Sequence, residues 1–178
     1  TALASMLLNA TAARGQWQRI VSVAPGLLTA LHEGNAIESR DAVCIPNGVP
    51  MQPPRDKGPD AAQSMVILYV GRLEQTQKNV LAIPAILGHA IDRGVDLVLE
   101  VVGEGPDAIE LEKRLRECGV RYVVHGRLGR DQTIAVMKRG DVLLMPSFYE
   151  GLPMTLLEAM SCGMTPIASR LPGSTDAV

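Results

Sequence analysis

Two glutamates, Glu150 and Glu158, bracket the start of a predicted helix and carry the most specific chemistry in the sequence. Glu150 follows an apolar strand candidate, Gly151 permits a tight turn, and Pro153 suits the first turn of a helix. A helix start offers free N–H groups and a positive dipole end, which favour an anion. Each carboxylate can accept hydrogen bonds from two adjacent hydroxyls. The cluster predicts a site for a polyhydroxylated ligand; the alternative is an acidic helix start with a surface glutamate.

Two cations form a second cluster, on the loop between a predicted strand and a predicted helix. Arg72 follows Gly71 at the end of the strand, and Lys78 lies seven residues after that glycine. Cations that flank a loop leading into a helix favour phosphate binding, because backbone N–H groups are free there as well. The alternative is a solvated basic loop on a glycine turn.

The segment GEGPDA (103–108) follows another predicted strand and fits the G-x-G-x-x-A pattern of dinucleotide-binding turns. However, Pro106 removes a backbone donor, and Glu104 and Asp107 place negative charge where a pyrophosphate would lie. The next predicted strand ends in HGR (125–127), without the acidic residue that would hold a ribose. A nicotinamide or flavin site is therefore disfavoured. Two interpretations stay open: a turn that lets the backbone approach a ligand at Gly103 and Gly105, or a purely structural turn.

Metal-ligand patterns are absent from the sequence. The histidines (32, 89 and 125) lack ligand spacing, and no D-x-D occurs. A lone histidine at a strand end, such as His125, is more often structural than catalytic. The three cysteines (44, 118 and 162) are odd in number and far apart, which indicates free thiols in a reducing compartment. We therefore expect no metal, no organic cofactor and a cytoplasmic location.

The composition indicates a globular protein. The chain has 178 residues, 47% of them apolar, and a formal net charge of −2. A high apolar fraction with low net charge rules out disorder, and the lack of a basic excess argues against nucleic-acid binding. The apolar runs are far shorter than the roughly 20 residues that cross a bilayer.

Short apolar runs alternate with helical stretches along the chain, which predicts a doubly wound, mostly parallel α/β sheet of Rossmann type. Several runs lack polar alternation, as expected for strands buried on both faces. Candidate strands are 19–24, 42–46, 65–71, 97–103, 122–126, 142–146 and 165–169, and candidate helices are 3–14, 26–33, 79–93, 107–118, 131–139 and 154–162. Pro84 fits best near the start of its helix.

Residues 47–64 interrupt this alternation of strands and helices. They contain four prolines and two glycines, which is typical of a linker. The residues before them are too few for a stable α/β domain. We therefore predict three parts: the end of an N-terminal domain (1–46), an interdomain linker (47–64) and a ligand-binding domain (65–178) that is truncated at its C-terminal end.

Five segments together resemble the retaining glycosyltransferases of family four, the group 1 transferases with a GT-B fold. They are IPNGV (45–49), YVGRL with KN (69–79), VVGEGP (101–106), HGRL (125–128) and DVLLMPSFYEGLPMTLLEAMSCGMTPIAS (141–169), the last with the family's E-x7-E pattern. The resemblance implies two Rossmann-like domains around a cleft, the C-terminal one binding a nucleotide-sugar donor without metal.

The same resemblance assigns roles to residues. Arg72 and Lys78 would hold the donor diphosphate and act in catalysis with Glu150, which would contact the transferred sugar. Glu158 would bind the ribose hydroxyls, residues 151–155 would meet the distal phosphate with their backbone, and two turns would line the base pocket. The implied donor-binding residues are Gly71, Arg72, Lys78, Gly103, Glu104, Gly105, Gly126, Arg127, Glu150, Gly151, Leu152, Pro153, Met154, Thr155 and Glu158.

The acceptor, a glycan, lipid or small molecule, would bind the missing domain, so the chain alone should bind donor and hardly transfer sugar. That domain could also place the enzyme peripherally on the cytoplasmic face of a membrane. Two features depart from the family. Lys78 lies seven residues after Gly71, whereas many members have the lysine six residues after that glycine, and where this chain ends in PGSTD (172–176), members often have two glycines and a glutamate. The alternatives are a nucleotide-sugar epimerase of the same fold and a non-catalytic nucleotide-binding or assembly module.

Overall fold

The structure of the protein, a computed structural model, describes residues 20–33, 42–53, 64–175 and 177. The predicted helix at 3–14 lies outside these residues. The chain forms two compact units: the first comprises the residues up to Gly48, Glu150–Pro153 and the residues from Leu171 on, and the second comprises Val49–Tyr149 and Met154–Arg170. The domain borders at residues 46 and 64 stay predictions.

The described elements alternate between strand and helix along the chain. In order they are β1 (Ile20–Ser22), α1 (Pro25–Glu33), β2 (Ala42–Cys44), β3 (Met65–Val70), α2 (Gln75–Lys78), a 3-10 turn (Val80–Ala82), α3 (Ile83–Ile91), β4 (Leu97–Val102), α4 (Ala108–Glu117), β5 (Tyr122–Gly126), α5 (Arg130–Met137), β6 (Val142–Met145), α6 (Met154–Ser161), β7 (Thr165–Ala168) and α7 (Pro172–Thr175). Strands β1 and β2 pair in parallel within the first unit, where α1 contacts both of them and α7.

The second unit is built on a five-stranded sheet with the order β5-β4-β3-β6-β7, and every adjacent pair is parallel. The chain moves outward from β3 to β5 and then returns to the other side of β3. The order therefore reverses between β3 and β6, and such a reversal leaves a crevice beyond the carboxyl ends of the two strands. This sheet confirms the predicted doubly wound fold and supplies the edge at which a ligand can bind.

Apolar strand residues bury both faces of this sheet. On one face, Ile67, Leu99 and Val101 pack with α3 and α4 in a single core cluster. Residues that point to the opposite face, such as Leu68 of β3 and Leu143 of β6, are also fully buried. Helices α5 and α6 pack on each other and also contribute fully buried residues. Among the described residues, the helices are too short and too polar to span a lipid bilayer.

The helix predicted at 79–93 differs from the structure. A short helix, α2, ends at Lys78, and Asn79 then adopts the left-handed conformation with φ 51° and ψ 39°. A residue with positive φ cannot continue an α-helix, so the chain restarts through a 3-10 turn. Helix α3 begins at Ile83 with Pro84 in its first turn, as predicted. Residues 172–175, for which no element was predicted, form the short helix α7.

Candidate functional site

The loops that follow β3, β4 and β5 are joined by backbone hydrogen bonds at the carboxyl edge of the sheet. The Gly71 N–H donates to the Val102 carbonyl at 3.0 Å, and the Gly103 N–H donates to the Gly126 carbonyl at 2.8 Å. Further out, the Leu73 N–H donates to the Glu104 carbonyl at 2.9 Å. The glycines predicted at strand ends therefore lie side by side on one continuous edge.

Glycine is required in the 103–108 turn because the neighbouring loop occupies the space of a side chain. A Cβ on Gly103 would lie 2.9 Å from the Gly71 carbonyl carbon, and one on Gly105 would lie 2.6 Å from that of Leu73. Real Cβ atoms essentially never come within 3.0 Å of another heavy atom. The close approach in this turn is thus made to the protein's own backbone, which accounts for both glycines; whether a ligand also approaches them stays open.

Asp107, one of the two acidic residues of the same turn, also has a structural partner. Its Oδ2 accepts a hydrogen bond from the Gln75 N–H at 2.8 Å. This N–H opens α2 and would otherwise have no partner within the helix. A carboxylate at a helix start is favourable because the dipole is positive there. The negative charge at this position therefore holds the basic loop in place, which agrees with the sequence argument against a dinucleotide-binding turn.

An edge cleft of about 700 Å³ opens above these loops and is lined by Gly71, Arg72, Gly103, Glu104, Gly105, Pro106 and Arg127. The Arg72 Nε lies 3.5 Å from Glu74, and the Arg127 guanidinium lies 3.4 Å from Glu104. The arginine side chains are 68% and 81% exposed, whereas Glu74 is 22% exposed and Glu104 is 66% exposed. The exposed pair of Arg127 with Glu104 contributes only about 0–1 kcal/mol, so an anionic ligand could replace that carboxylate at little cost.

A second, smaller cleft of about 380 Å³ contains Glu158 and lies between α5 and α6. We call it the helix cleft; its lining residues are Val49, Pro50, Gln52, Arg130, Asp131, Ile134, Lys138, Glu158 and Ser161. The Glu158 side chain is 19% exposed, and its Oε1 lies 3.5 Å from the Arg130 Nε. Arg72 thus lines the edge cleft, and Glu158 lines the helix cleft.

Sequence reasoning missed the partners of Glu158 in the helix cleft. Arg130 is the first residue of α5, directly after the loop that follows β5. The sequence places Arg130 beyond the carboxyl end of a predicted strand, and this position could have marked it as a candidate binding residue, because ligands of open α/β sheets bind there. Val49 and Gln52 come from the predicted linker, whose composition gave no reason to expect a role in a cleft.

Lys78 ends the short helix α2, which is held against the loop that follows β6. The Phe148 N–H donates to the Gln77 carbonyl at 2.8 Å, and the Gln77 side chain reaches the Tyr149 carbonyl at 3.4 Å. These contacts cross the reversal between β3 and β6. They hold the helix that ends in Lys78 at the carboxyl edge of the sheet; Lys78 itself lines neither the edge cleft described above nor the helix cleft, and its contact with a phosphate stays a prediction.

The segment Glu150–Pro153 belongs to the first unit, whereas Met154 and Thr155 open α6 in the second. Within the first unit, the carbonyl group of Gly151 occupies the space that a Cβ on Gly173 would need. The bracketing of a helix start by Glu150 and Glu158 stays a prediction, as does the role of the backbone from Gly151, Leu152 and Pro153 onward.

His125 has a structural environment. Its Nε2 lies 2.9 Å from Glu100 Oε2, and an Arg139 nitrogen lies 3.5 Å from the same oxygen. In the ranges that the structure describes, no three His, Cys, Asp or Glu side chains gather in a way that could hold a metal ion. The three cysteines are free thiols; Cys162 is buried, and this burial raises its pKa.

The family model described as "Glycosyl transferases group 1" matches residues 53–178. Among curated relatives, the 2-deoxystreptamine glucosyltransferase of Streptomyces kanamyceticus is 39% identical over 118 residues, which are 65% of this chain and 28% of that protein. The chain therefore spans less than a third of the length of that relative.

Solved structures agree with the fold. The apo form of WaaB, a lipopolysaccharide outer core galactosyltransferase, superposes with a TM-score of 0.73 at 28% identity, over 86% of this chain and 43% of that chain. Anabaena HepE in complex with UDP and glucose gives a TM-score of 0.75 at 17% identity, over 98% of this chain and 50% of that one. The chain spans half or less of each of these proteins.

Proposed function

This chain belongs to the group 1 glycosyl transferases, and we propose that it supplies the donor-binding part of an enzyme that transfers a sugar from a nucleoside diphosphate sugar to an acceptor. The observation that carries the proposal is the edge cleft. Two exposed arginines line it above three interlocked glycine loops, at the carboxyl edge of a parallel sheet. Ligands of such sheets bind at that edge.

In the proposal, Arg72 and Lys78 hold the donor diphosphate. When the bond from the sugar to the diphosphate breaks, negative charge develops on the leaving phosphate. Both cations lie on the segment between β3 and α3, which backbone hydrogen bonds tether to the loops after β4 and β6. Cations that are placed beforehand in this way stabilise the developing charge. Glu74, the partner of Arg72 at 3.5 Å, yields to a diphosphate in this proposal, because a charge-assisted bidentate contact is stronger than a single long ion pair of a mostly exposed arginine.

Glu158 binds the ribose hydroxyls in this proposal. Its carboxylate is mostly shielded from water but keeps access to the helix cleft, and Arg130 balances its charge. A shielded carboxylate suits this role because hydrogen bonds to a charged group gain strength where water is excluded. The turns at Gly103–Gly105 and Gly126–Arg127 line the base, and Glu150 contacts the transferred sugar.

The anomeric configuration would be retained. The acceptor hydroxyl attacks from the face that the diphosphate leaves, and a phosphate oxygen takes its proton while the sugar–oxygen bond to the donor breaks. This step needs a second domain that presents the acceptor. The chain alone should therefore bind donor with little transfer, and the acceptor is chosen outside the residues that bind donor.

Isothermal titration calorimetry of the 178-residue chain with UDP, GDP, ADP and their glucose conjugates tests the proposal. We expect one base to bind best, with and without a chelator, and Arg72→Ala to weaken that binding by about tenfold, the loss of one charged hydrogen bond. Arg93→Ala is the matched control, since Arg93 is an exposed arginine at the end of α3 that donates to the His89 carbonyl. Binding that disappears in chelator, or that Arg72→Ala leaves unchanged, would contradict the proposal.

A further inference from the structure

The reversal between β3 and β6 is bridged by side chains as well as by backbone. Asn79 lies directly after Lys78, and its Nδ2 donates to the Pro146 carbonyl at 3.0 Å. Pro146 follows β6 by one residue, so this bond joins the loop of one wall to the loop of the other. It spans 67 positions of sequence and fixes the separation of the walls beside the proposed phosphate site.

The other end of the Asn79 side chain is also engaged. Its Oδ1 accepts a hydrogen bond from Gln75 Nε2 at 2.8 Å, and Gln75 Oε1 in turn accepts from the Leu81 N–H at 2.9 Å. Because the Gln75 N–H donates to Asp107, the chain of bonds also reaches the loop after β4. Three loops of the edge thus meet at the short helix that ends in Lys78.

Asn79 has a backbone conformation that few residues adopt. Its φ is 51°, and it is the one residue other than glycine with a positive φ in the part of the chain that the structure describes. Asparagine tolerates the left-handed conformation better than most residues, yet strain there is kept only where the surroundings demand it. Here the surroundings are the hydrogen bonds that the amide makes through both its oxygen and its nitrogen.

We propose that Asn79 is a positioning residue that aims Lys78 at the donor phosphates, by clamping the loop after β3 to the loop after β6. This inference rests on the proposed function. It accounts for the extra residue between Gly71 and Lys78: the longer loop closes as one turn of helix, and the left-handed residue after it turns the chain toward α3. The hydrogen bonds of Asn79 then hold the end of this helix, and with it Lys78, in one position relative to the loop after β6.

Two substitutions separate the effect of the Asn79 side-chain hydrogen bonds from the effect of its positive φ. Asn79→Gly keeps a residue that favours positive φ but loses both side-chain hydrogen bonds. Asn79→Asp keeps an acceptor for Gln75 but places a carboxylate oxygen against the Pro146 carbonyl, where a donor is needed. Gly119→Ala is the control for general destabilisation: it strains another left-handed turn, at φ +67°, where a Cβ would meet open space.

A double-mutant cycle with Lys78→Ala tests positioning, with the preferred nucleoside diphosphate and the corresponding nucleoside as probes. We expect Lys78→Ala to weaken diphosphate binding about tenfold, and Asn79→Gly to weaken it about threefold or more. The double variant should bind no more weakly than Lys78→Ala alone, because a misplaced lysine and an absent one cost the same interaction. Nucleoside affinity should stay constant throughout, and Gly119→Ala should bind both probes like wild type.

Additive losses in the cycle, or an equal loss of nucleoside affinity, would overturn the role of Asn79. If Asn79→Gly melts below the assay temperature, Asn79→Asp takes its place in the cycle, with the same expected coupling. Failure of the proposed function looks different: wild type would then bind no nucleoside diphosphate, or Lys78→Ala and Arg72→Ala would both bind it like wild type. In the full-length enzyme, Asn79→Gly should lower kcat and weaken donor binding together.

Discussion

Replacing Gly105 by alanine should break the contact between two loops of the edge cleft. Gly105 has no positive φ, so alanine brings no backbone strain and acts only through its methyl group. That methyl would lie 2.6 Å from the Leu73 carbonyl carbon and 2.7 Å from the Leu73 nitrogen, which are backbone atoms that cannot rotate away. The loops after β3 and β4 must therefore separate.

The cost follows from what the separation breaks. Overpacking of a tight contact costs about 1–3 kcal/mol. Two hydrogen bonds, from the Leu73 N–H to Glu104 and from the Asp107 N–H to Leu73, would stretch or break; each contributes about 1 kcal/mol. The free energy of unfolding should fall by about 3–5 kcal/mol, which lowers Tm by about 6–20 °C in a chain of this length.

Gly88→Ala is the matched control, because the same substitution there should have the opposite sign. Gly88 lies inside α3, and its Cβ would meet only the Cys118 Cβ at 3.9 Å, an ordinary contact. Alanine is favoured over glycine in a helix by up to about 1 kcal/mol, so Tm should rise slightly.

Thermal unfolding followed by circular dichroism, without nucleotide, measures both shifts. Titration with the preferred nucleoside diphosphate should then show about tenfold weaker binding for Gly105→Ala, since Arg72 moves with its loop. A Gly105→Ala protein that melts and binds like wild type would refute the loop contact and the cleft built on it.

Three further outcomes are expected. Glu158→Gln keeps an acceptor but loses the charge, so nucleoside diphosphate affinity should fall about tenfold or more in calorimetry; a small drop in Tm with unchanged affinity would mean that the carboxylate only supports α6. Glu150→Gln should spare the free diphosphate and reduce the added affinity of the sugar conjugate; equal loss for both ligands would contradict its assignment to the sugar. Cys162 is buried with a raised pKa and should react with iodoacetamide only after unfolding, whereas exposed Cys118 reacts in the folded protein; mass spectrometry that finds both labelled equally fast would contradict the buried position.

The sheet could be predicted from sequence because its strands are apolar on both faces and end in glycines. Runs such as the one around Leu99 need no tertiary information to be recognised, and parallel strands bring their carboxyl ends to one edge. The places of Gly71, Gly103 and Gly126 followed directly. The helix start predicted at Pro153 likewise placed Glu158 on the first turns of a helix.

The remaining features depend on contacts between distant residues. Periodicity predicted an unbroken helix from Asn79, since nothing local shows that its amide bonds to the loop after β6. The turn at 103–108 left two interpretations open because the carbonyl that excludes a side chain from Gly103 comes from another strand. The pairing of Arg130 with Glu158 joins two helices and has no local signal either.

The interlocking of the three strand-end loops bears on how such an edge can be redesigned. The atoms that exclude a side chain from Gly103 and Gly105 belong to the neighbouring loop, so neither loop can change its backbone path alone. A chimera that imports only the segment at 103–107 from a relative with another donor would meet a partner loop of the wrong shape. Exchanging the segments after β3, β4 and β5 together keeps every backbone bond between them, and the side chains that face the ligand are then free to differ.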